Sequence, residues 1–383
     1  MRNKHKQLIY SMIDNPFLIY GYEGTEYFCD RKEETTEIIE ALKNGCNLTL
    51  MSPRRYGKTG LIHNVFQHFK EQGDDVTCFY VDIYATHSLS DFVQALGKAV
   101  VGKLDTPLQR VEGFVSKVFR YSQVTMEPNL ATGMPQFALS FHPQYAENTL
   151  EDIFNYIEQS ERKCYIALDE FQQVLEYQEK NVEALLRTYA QRTHNVHFIF
   201  AGSKQHLMAE MFNSPKHPLY RSTEKLNLTT LKESVYYEFA TEKLSKKGIT
   251  ITPEEFHRIY ELVDGVTWYL QAIMNRLYRL DNQEITEEKW RKVVNQIIAS
   301  EEEDYKRMFH LLTANQASLL LAVAREGIVE APMSGTFLRH YNLKSPSSIQ
   351  RALKFLIDEE FLYHTDKGYI VYDRFFVIWL KSL

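Results

Sequence analysis

Apolar positions along the chain follow two different periods. Asn47 to Ser52, Thr77 to Asp82, Cys164 to Leu168 and Val196 to Ala201 are short, nearly continuous apolar runs, and Lys225 to Leu228 is a fifth. Among them lie segments with apolar residues three and four apart, at 31–43, 58–72, 88–103, 148–160 and 180–194. Continuous runs suit strands buried on both faces, whereas three-four spacing marks amphipathic helices. The alternation predicts an α/β fold, a parallel sheet covered by helices on both faces. Asp30 stands where the first helix expects its N-cap, and Gly45 and Gly73 stand where the first two helices end.

Residues 105–145 break this rhythm. A helix near 107–121 precedes two alternating runs, Val124 to Met126 and Gln136 to Phe141, set around Glu127-Pro128-Asn129 and Thr132-Gly133. An inserted β-hairpin is expected there. From residue 231 only helical spacing remains, at 231–247, 252–263, 266–281 and 286–299. Three further helices (311–324, 335–341 and 346–359) lead into short strands at 362–364 and 369–371, which flank the turn Asp366-Lys367-Gly368. That order is a winged helix-turn-helix. Three domains are therefore expected: a core at 1–230, a helical lid at 231–300 and a winged helix at 301–383.

Composition narrows the class. A chain of 383 residues, 44% hydrophobic and 25% charged, is an ordinary globular protein, neither disordered nor fibrous. Its net charge of −6 argues against a surface coated for non-specific nucleic-acid binding, and leaves room for a local basic face. The four cysteines (Cys29, Cys46, Cys78, Cys164) form no CxxC pair, which fits a reducing compartment. No apolar stretch reaches about 18 residues, and Asp14, Asn15 and Pro16 interrupt the apolar run behind the basic N-terminus. The expected location is the cytoplasm, with no membrane partner.

The candidate chemistry sits between the first strand and the second helix. Ser52-Pro53-Arg54-Arg55-Tyr56-Gly57-Lys58-Thr59 matches the phosphate loop GxxxxGK[ST] except for its first glycine, here Ser52. Gly57 lets the backbone approach phosphate oxygens, so that successive N–H groups face the negative charge. Lys58 supplies a cation for the β- and γ-phosphates, and the Thr59 hydroxyl is a ligand for Mg²⁺. Ser52, Pro53, Tyr56, Gly57, Lys58, Thr59 and Gly60 are the expected nucleotide contacts. More than a hundred residues later, the apolar run Tyr165-Ile166-Ala167-Leu168 ends in Asp169-Glu170. Asp169 is suited to hold Mg²⁺ through water and Glu170 to polarise an attacking water. No HExxH or GxSxG pattern competes, and His63 and His68, on the helix after the loop, are expected at the surface.

The run Asn15-Pro16-Phe17, Phe28-Cys29-Asp30-Arg31 and the phosphate loop resembles the archaeal-type P-loop ATPase family, which is grouped with the AAA+ and STAND ATPases. The resemblance continues through Leu168-Asp169-Glu170, Ala201-Gly202-Ser203, Leu219-Tyr220-Arg221-Ser222, Gly265-Val266-Thr267-Trp268-Tyr269-Leu270 and the terminal winged helix. It implies ATP or ADP as the nucleotide, with Mg²⁺, and a catalytic set of Lys58, Glu170, Ser203 and Arg221. Ser203 falls where a polar residue reads the γ-phosphate. Arg221 falls where an arginine contacts a γ-phosphate in its own subunit or a neighbour's, and Arg31 lies near the adenine. The lid motif departs from the family, with Thr267 where a proline is frequent.

In the winged helix, Ser347, Ser348, Gln350, Arg351 and Lys354 suit contact with DNA. From Thr313 onward, however, eight Lys/Arg stand against seven Asp/Glu, a balance that fits a protein partner equally. Two functions remain open. One is a Mg²⁺-dependent ATPase that couples nucleotide state to movement of the lid and winged helix, acting on DNA or a partner protein. The other is a slow nucleotide-loaded STAND-type switch, a homo-oligomer former or partner releaser with little turnover and no DNA binding.

Overall fold

Five parallel strands make the central sheet of this computed structural model, which describes residues 14–101, 103–104, 119–128, 135–280 and 283–383. They are β1 (Leu48–Met51), β2 (Val76–Asp82), β5 (Lys163–Asp169), β6 (Val196–Gly202) and β7 (Glu224–Asn227), in the order β2-β5-β6-β1-β7. Between β2 and β5 the chain forms the expected antiparallel hairpin, β3 (Ser122–Pro128) with β4 (Pro135–Phe141). The expected helix near 107–121 falls mostly outside the described residues, as do Asn129, Thr132 and Gly133.

Alternate residues of each strand feed opposite faces. Ile166 and Leu168 of β5 join one core with Phe79, Phe198 and Phe200, over which pack α3 (Leu89–Val100), α4 (Ala146–Gln159) and α5 (Val182–Arg192). Tyr165 and Ala167 join the other with Leu48, Leu50 and Ile199, covered by α1 (Lys32–Lys43) and α2 (Lys58–Gln72). Burial on both faces explains why the strand runs carry no polar alternation. A further helix, α6 (Gln205–Asn213), follows β6, where the sequence pattern suggests none. The N-cap of α1 also differs from expectation. Asp30 and Arg31 are both left-handed (φ +55° and +60°), and Arg31 rather than Asp30 occupies the cap, with no side-chain cap bond.

The chain divides into two compact units. Residues 20–229 hold the sheet; residues 14–19 pack with 230–383. Three hydrogen bonds tie that N-terminal segment down: Asn15 Nδ2 to the Asn275 carbonyl, Asn275 Nδ2 to the Phe17 carbonyl, and Trp268 Nε1 to the Ile19 carbonyl.

This second unit contains α7 (Glu233–Ser245), α8 (Pro253–Leu262), α9 (Thr267–Leu277), α10 (Glu287–His310), α11 (Ala314–Glu326), α12 (Gly335–His340) and α13 (Pro346–Asp358). The wing is the antiparallel pair β10 (Leu362–Thr365) and β11 (Gly368–Val371). The region after 231 is not purely helical, because β8 (Thr250–Ile251) and β9 (Glu284–Ile285) form a two-residue parallel pair. Two helices exceed their pattern. α10 runs straight through residue 300, since Glu301-Glu302-Glu303-Asp304 interrupts its apolar stripe without interrupting its backbone. The last helix, α14 (Arg374–Lys381), lies beyond the elements expected from the pattern, and buries Phe375, Phe376, Trp379 and Leu380 on one face. Its Phe375 packs on Trp268 and Tyr269, its Phe376 and Trp379 on Tyr305, and Arg374 pairs with Asp264 at 2.8 Å.

Gly265, beside Asp264, has φ +63°, and a Cβ there would lie 2.3 Å from Cζ of Tyr260, whose hydroxyl is fixed on the Leu231 carbonyl. Gly265→Ala should therefore destabilise residues 230–383 by roughly 2–5 kcal/mol, adding left-handed strain to overpacking. Urea unfolding followed by tryptophan fluorescence isolates this unit, since Trp268, Trp290 and Trp379 all belong to it. A midpoint equal to wild type would refute the packing argument.

Candidate functional site

The loop between β1 and α2 begins as an extension of the sheet. The Ser52 N–H donates to the Gly202 carbonyl (3.3 Å), and Ser52 is fully buried with its Oγ unpartnered. Pro53 is buried behind it, and the chain then turns through Arg55 (φ +73°) and Gly57 (φ +89°) into the helix. No side chain caps α2 and its first turn carries no acid. Its first backbone bond is Leu61 N–H to the Gly57 carbonyl, so the N–H groups of Lys58, Thr59 and Gly60 have no acceptor within the helix. Such a terminus attracts an anion.

The strand order brings the carboxyl ends of β5 and β6 beside this terminus. Lys58 Nζ lies 2.6 Å from Asp169 Oδ1 and 3.1 Å from Glu170 Oε1, with Lys58 and Asp169 almost completely buried. The Thr59 hydroxyl donates to Asp169 Oδ2 at 2.8 Å, and so does the Tyr80 hydroxyl. The Ser203 hydroxyl donates to Glu170 Oε2 at 2.6 Å, and Gln172 Nε2 donates to the same oxygen at 2.7 Å. Lys58, Thr59, Asp169, Glu170 and Ser203 thus form one hydrogen-bonded cluster. A hydroxyl and a carboxylate oxygen this close are the donor pair that Mg²⁺ uses alongside phosphate and water oxygens.

Burial by itself raises the pKa of Asp169 and of Glu170. The Lys58 ammonium outweighs it in both, helped by Thr59 and Tyr80 on Asp169 and by Ser203 and Gln172 on Glu170. Both carboxyls end below the ordinary carboxylate range.

Other expected residues stand in different relations to the cluster. Arg31, 3% exposed, donates through Nη2 to the carbonyls of Tyr56 (3.2 Å) and Thr229 (2.6 Å) and through Nη1 to Glu34 (2.6 Å). It braces the backbone of the phosphate loop. Gly60 faces the ring of Phe28. Arg54 has its guanidinium over Tyr84, beyond the loop. Arg221 is exposed, with its guanidinium over Tyr220, and takes no part in the cluster among the described residues. His63, expected at the surface, is instead half-buried between the rings of Tyr22 and Tyr80, and burial pulls its pKa down.

Sequence reasoning missed Tyr80 and Gln172. Tyr80 was concealed inside an apolar strand, although its place two residues before the end of β2 aims it at the end of β5. Gln172, two residues beyond the acids, carries no spacing signal.

A parallel sheet of this order, with a phosphate loop on its fourth strand and acids on its second, defines a P-loop ATPase fold, here followed by a winged helix. The chain belongs to the family of ATPase domains found predominantly in Archaea, whose model matches residues 28–273. The winged helix domain model matches residues 303–382. Among solved structures, the chain is similar to a Walker-type ATPase of Pyrococcus abyssi, at a TM-score of 0.66 and 17% identity over 96% of this chain and 99% of that one. It is also similar to the ORC2 protein of Aeropyrum pernix in its ADPNP–ADP complexes, at 0.54 and 15% over 92% and 94%. The ORC1 protein of the same organism in complex with DNA matches at 0.50 and 13% over 93% and 92%. These identities establish a shared fold. No curated protein matches the chain in sequence. Among the described residues, no helix is long and apolar enough to cross a membrane.

A depressed native-state pKa adds stability that is fully present above the unfolded value of about 4 and is lost as pH falls through the lower native value. Wild type should therefore exceed Asp169→Asn in thermal stability by a constant margin from pH 8 to about 5, and the margin should close only below about 4. Melting curves across pH, without nucleotide, measure this. A margin that closes between pH 7 and 5 would show that Asp169 is not held charged.

Proposed function

We propose that the protein hydrolyses ATP with Mg²⁺ and couples its nucleotide state to movement of the lid and winged helix. The observation that carries this reading is Lys58 beside Asp169 and Glu170 at the uncapped start of α2. Mg²⁺, when bound, would supply charge neutralisation between the β- and γ-phosphates. Thr59 Oγ would hold it directly and Asp169 through water. Lys58, released from its carboxylates, would turn to the β- and γ-phosphates; Glu170 would polarise the attacking water; Ser203 would sense the γ-phosphate. The backbone N–H groups of Tyr56, Gly57 and Gly60 would cradle the phosphates, and Ser52 and Pro53 would set the entry of the loop. The choice of ATP over GTP rests on the family.

Arg31 supports the coupling. It joins the phosphate loop at Tyr56 to Thr229, the last residue before the chain leaves the sheet unit. A loop that shifts around phosphate would pull on that exit point. Arg221, exposed and outside the cluster, fits a γ-phosphate contact made to a neighbouring copy in a homo-oligomer. On α13, Gln350, Arg351 and Lys354 are exposed, as DNA contact requires, and the related ORC1 protein was solved with DNA.

One observation favours the slower, switch-like reading. Lys58 is engaged by both carboxylates and Glu170 accepts from three donors, so these contacts must rearrange before the site can react.

Phosphate release from ATP decides between them. Wild type should turn over with Mg²⁺ and stop without it, and Lys58→Ala and Glu170→Gln should each lower kcat by roughly 100-fold or more. Retained nucleotide with no turnover in wild type would instead select the switch. In a gel shift at two salt concentrations, Arg351→Ala and Lys354→Ala should each weaken duplex binding and flatten its salt dependence. Unchanged affinity in both would end the DNA reading.

A further inference from the structure

Glu170 sits in the left-handed region (φ +56°), and the chain then enters a 3₁₀ turn at Phe171–Glu176. That reversal folds Gln172 back onto the residue two before it. Its Nε2 lies 2.7 Å from Glu170 Oε2, and the side chain is 3% exposed. Gly202 makes the space for it: a Cβ on Gly202 would lie 2.5 Å from Gln172 Oε1 and 2.5 Å from the sulfur of Met208. The next residue, Ser203, donates to the same Glu170 oxygen. One end of β6 thus accommodates the first donor and provides the second.

The fit has a cost. Gln172 Oε1 is buried and has no hydrogen-bond partner among the described residues. Turning the amide over would only set that oxygen against the Glu170 carboxylate. An apolar side chain of similar length would fill the space without stranding an acceptor, so packing does not explain a glutamine here. The donor to Glu170 does.

We infer that Gln172 is a positioning residue that, together with Ser203, saturates Glu170 Oε2 and leaves Oε1 as the oxygen that takes the proton from the attacking water. Among the described residues the only partner of Oε1 is Lys58, which on the hydrolase reading would turn to the phosphates when nucleotide binds. In the step itself, the water oxygen bonds to the γ-phosphorus and the bond from that phosphorus to the β–γ bridging oxygen breaks. The bonding pair stays on ADP, and the water proton passes to Oε1. Without Gln172 only Ser203 holds Oε2, the carboxylate is freer to rotate, and the two oxygens keep their separate tasks less strictly. This inference rests on the hydrolase reading above.

The test compares wild type, Gln172→Met, Gln172→Ala and Ser203→Ala in the full chain. For each, kcat and KM for MgATP, affinity for a fluorescent ATP analogue, and the melting temperature are measured. Gln172→Met should lose roughly 10- to 100-fold in kcat, the scale of a misplaced reacting group. Its nucleotide affinity should stay within about twofold, and its melting temperature should not fall, because the stranded acceptor is gone. A Gln172→Met/Ser203→Ala double variant should lose less than the product of the two single losses, because both donors act on one oxygen. An unchanged kcat in Gln172→Met and Gln172→Ala overturns the inference while leaving the hydrolase reading intact. So does a kcat that falls only in step with affinity and melting temperature. Wild type that releases no phosphate overturns both.

Discussion

The buried ammonium of Lys58 is the charge around which the sheet unit is arranged. A cation removed from water is tolerated only when close, well-oriented anions and hydrogen bonds replace its hydration. Asp169 and Glu170 do this, and they in turn are tolerated because Lys58, Thr59, Tyr80, Ser203 and Gln172 surround them. None of these groups is placed by local sequence alone. Their meeting depends on β6 lying between β1 and β5, so that the carboxyl ends of three strands converge on the start of one helix. The same arrangement makes the cluster self-contained. One cation faces two carboxylates, and under the proposed function a polyphosphate would draw the cation away while a metal ion took over its role toward them. Phosphate and metal binding are therefore expected to be mutually dependent.

Around this charge the backbone is bent into unusual conformations with identifiable tasks. Gly57 is left-handed where the loop turns into α2; Glu170 is left-handed so that its carboxylate meets Lys58 while Gln172 returns to it. Arg31 is left-handed at the head of α1 and delivers a buried guanidinium to two backbone carbonyls. A fork of fixed donors suits that task better than a lysine's point charge, because it holds two separate strands of chain at once.

The alternation of apolar runs and amphipathic helices was enough to reveal the parallel sheet, because strands buried on both faces leave a continuous apolar signature that helices do not. The phosphate loop and the paired acids were legible because their chemistry requires particular residues in particular places. The structure brings Lys58, Thr59, Asp169, Glu170 and Ser203 together. What escaped notice were residues that act through three-dimensional neighbours. Tyr80 reads as one more aromatic in a strand, and Gln172 as one more polar residue in a turn. The extension of α10 was invisible because Glu301-Glu302-Glu303-Asp304 supplies no apolar contact, although Tyr305 beyond it is buried against α14. Asp30 failed as a cap because its own left-handed backbone excludes the extended geometry that capping needs.

The unbroken α10 gives residues 230–383 a mechanical property that a jointed pair of domains would lack. Its 24 residues span about 36 Å at 1.5 Å per residue. Near one end the buried Trp290 donates to Glu255 of α8, and the other end carries Tyr305 into the aromatic stack of α14. A stiff rod anchored at both ends does not absorb rotation. A tilt at its root is opposed at the far end, because α14 is packed on α9 through Phe375 as well as on α10 through Phe376 and Trp379. α11 packs on α14 and α13 packs on α11, so the terminal helices are built onto a frame braced from two sides rather than hinged from one.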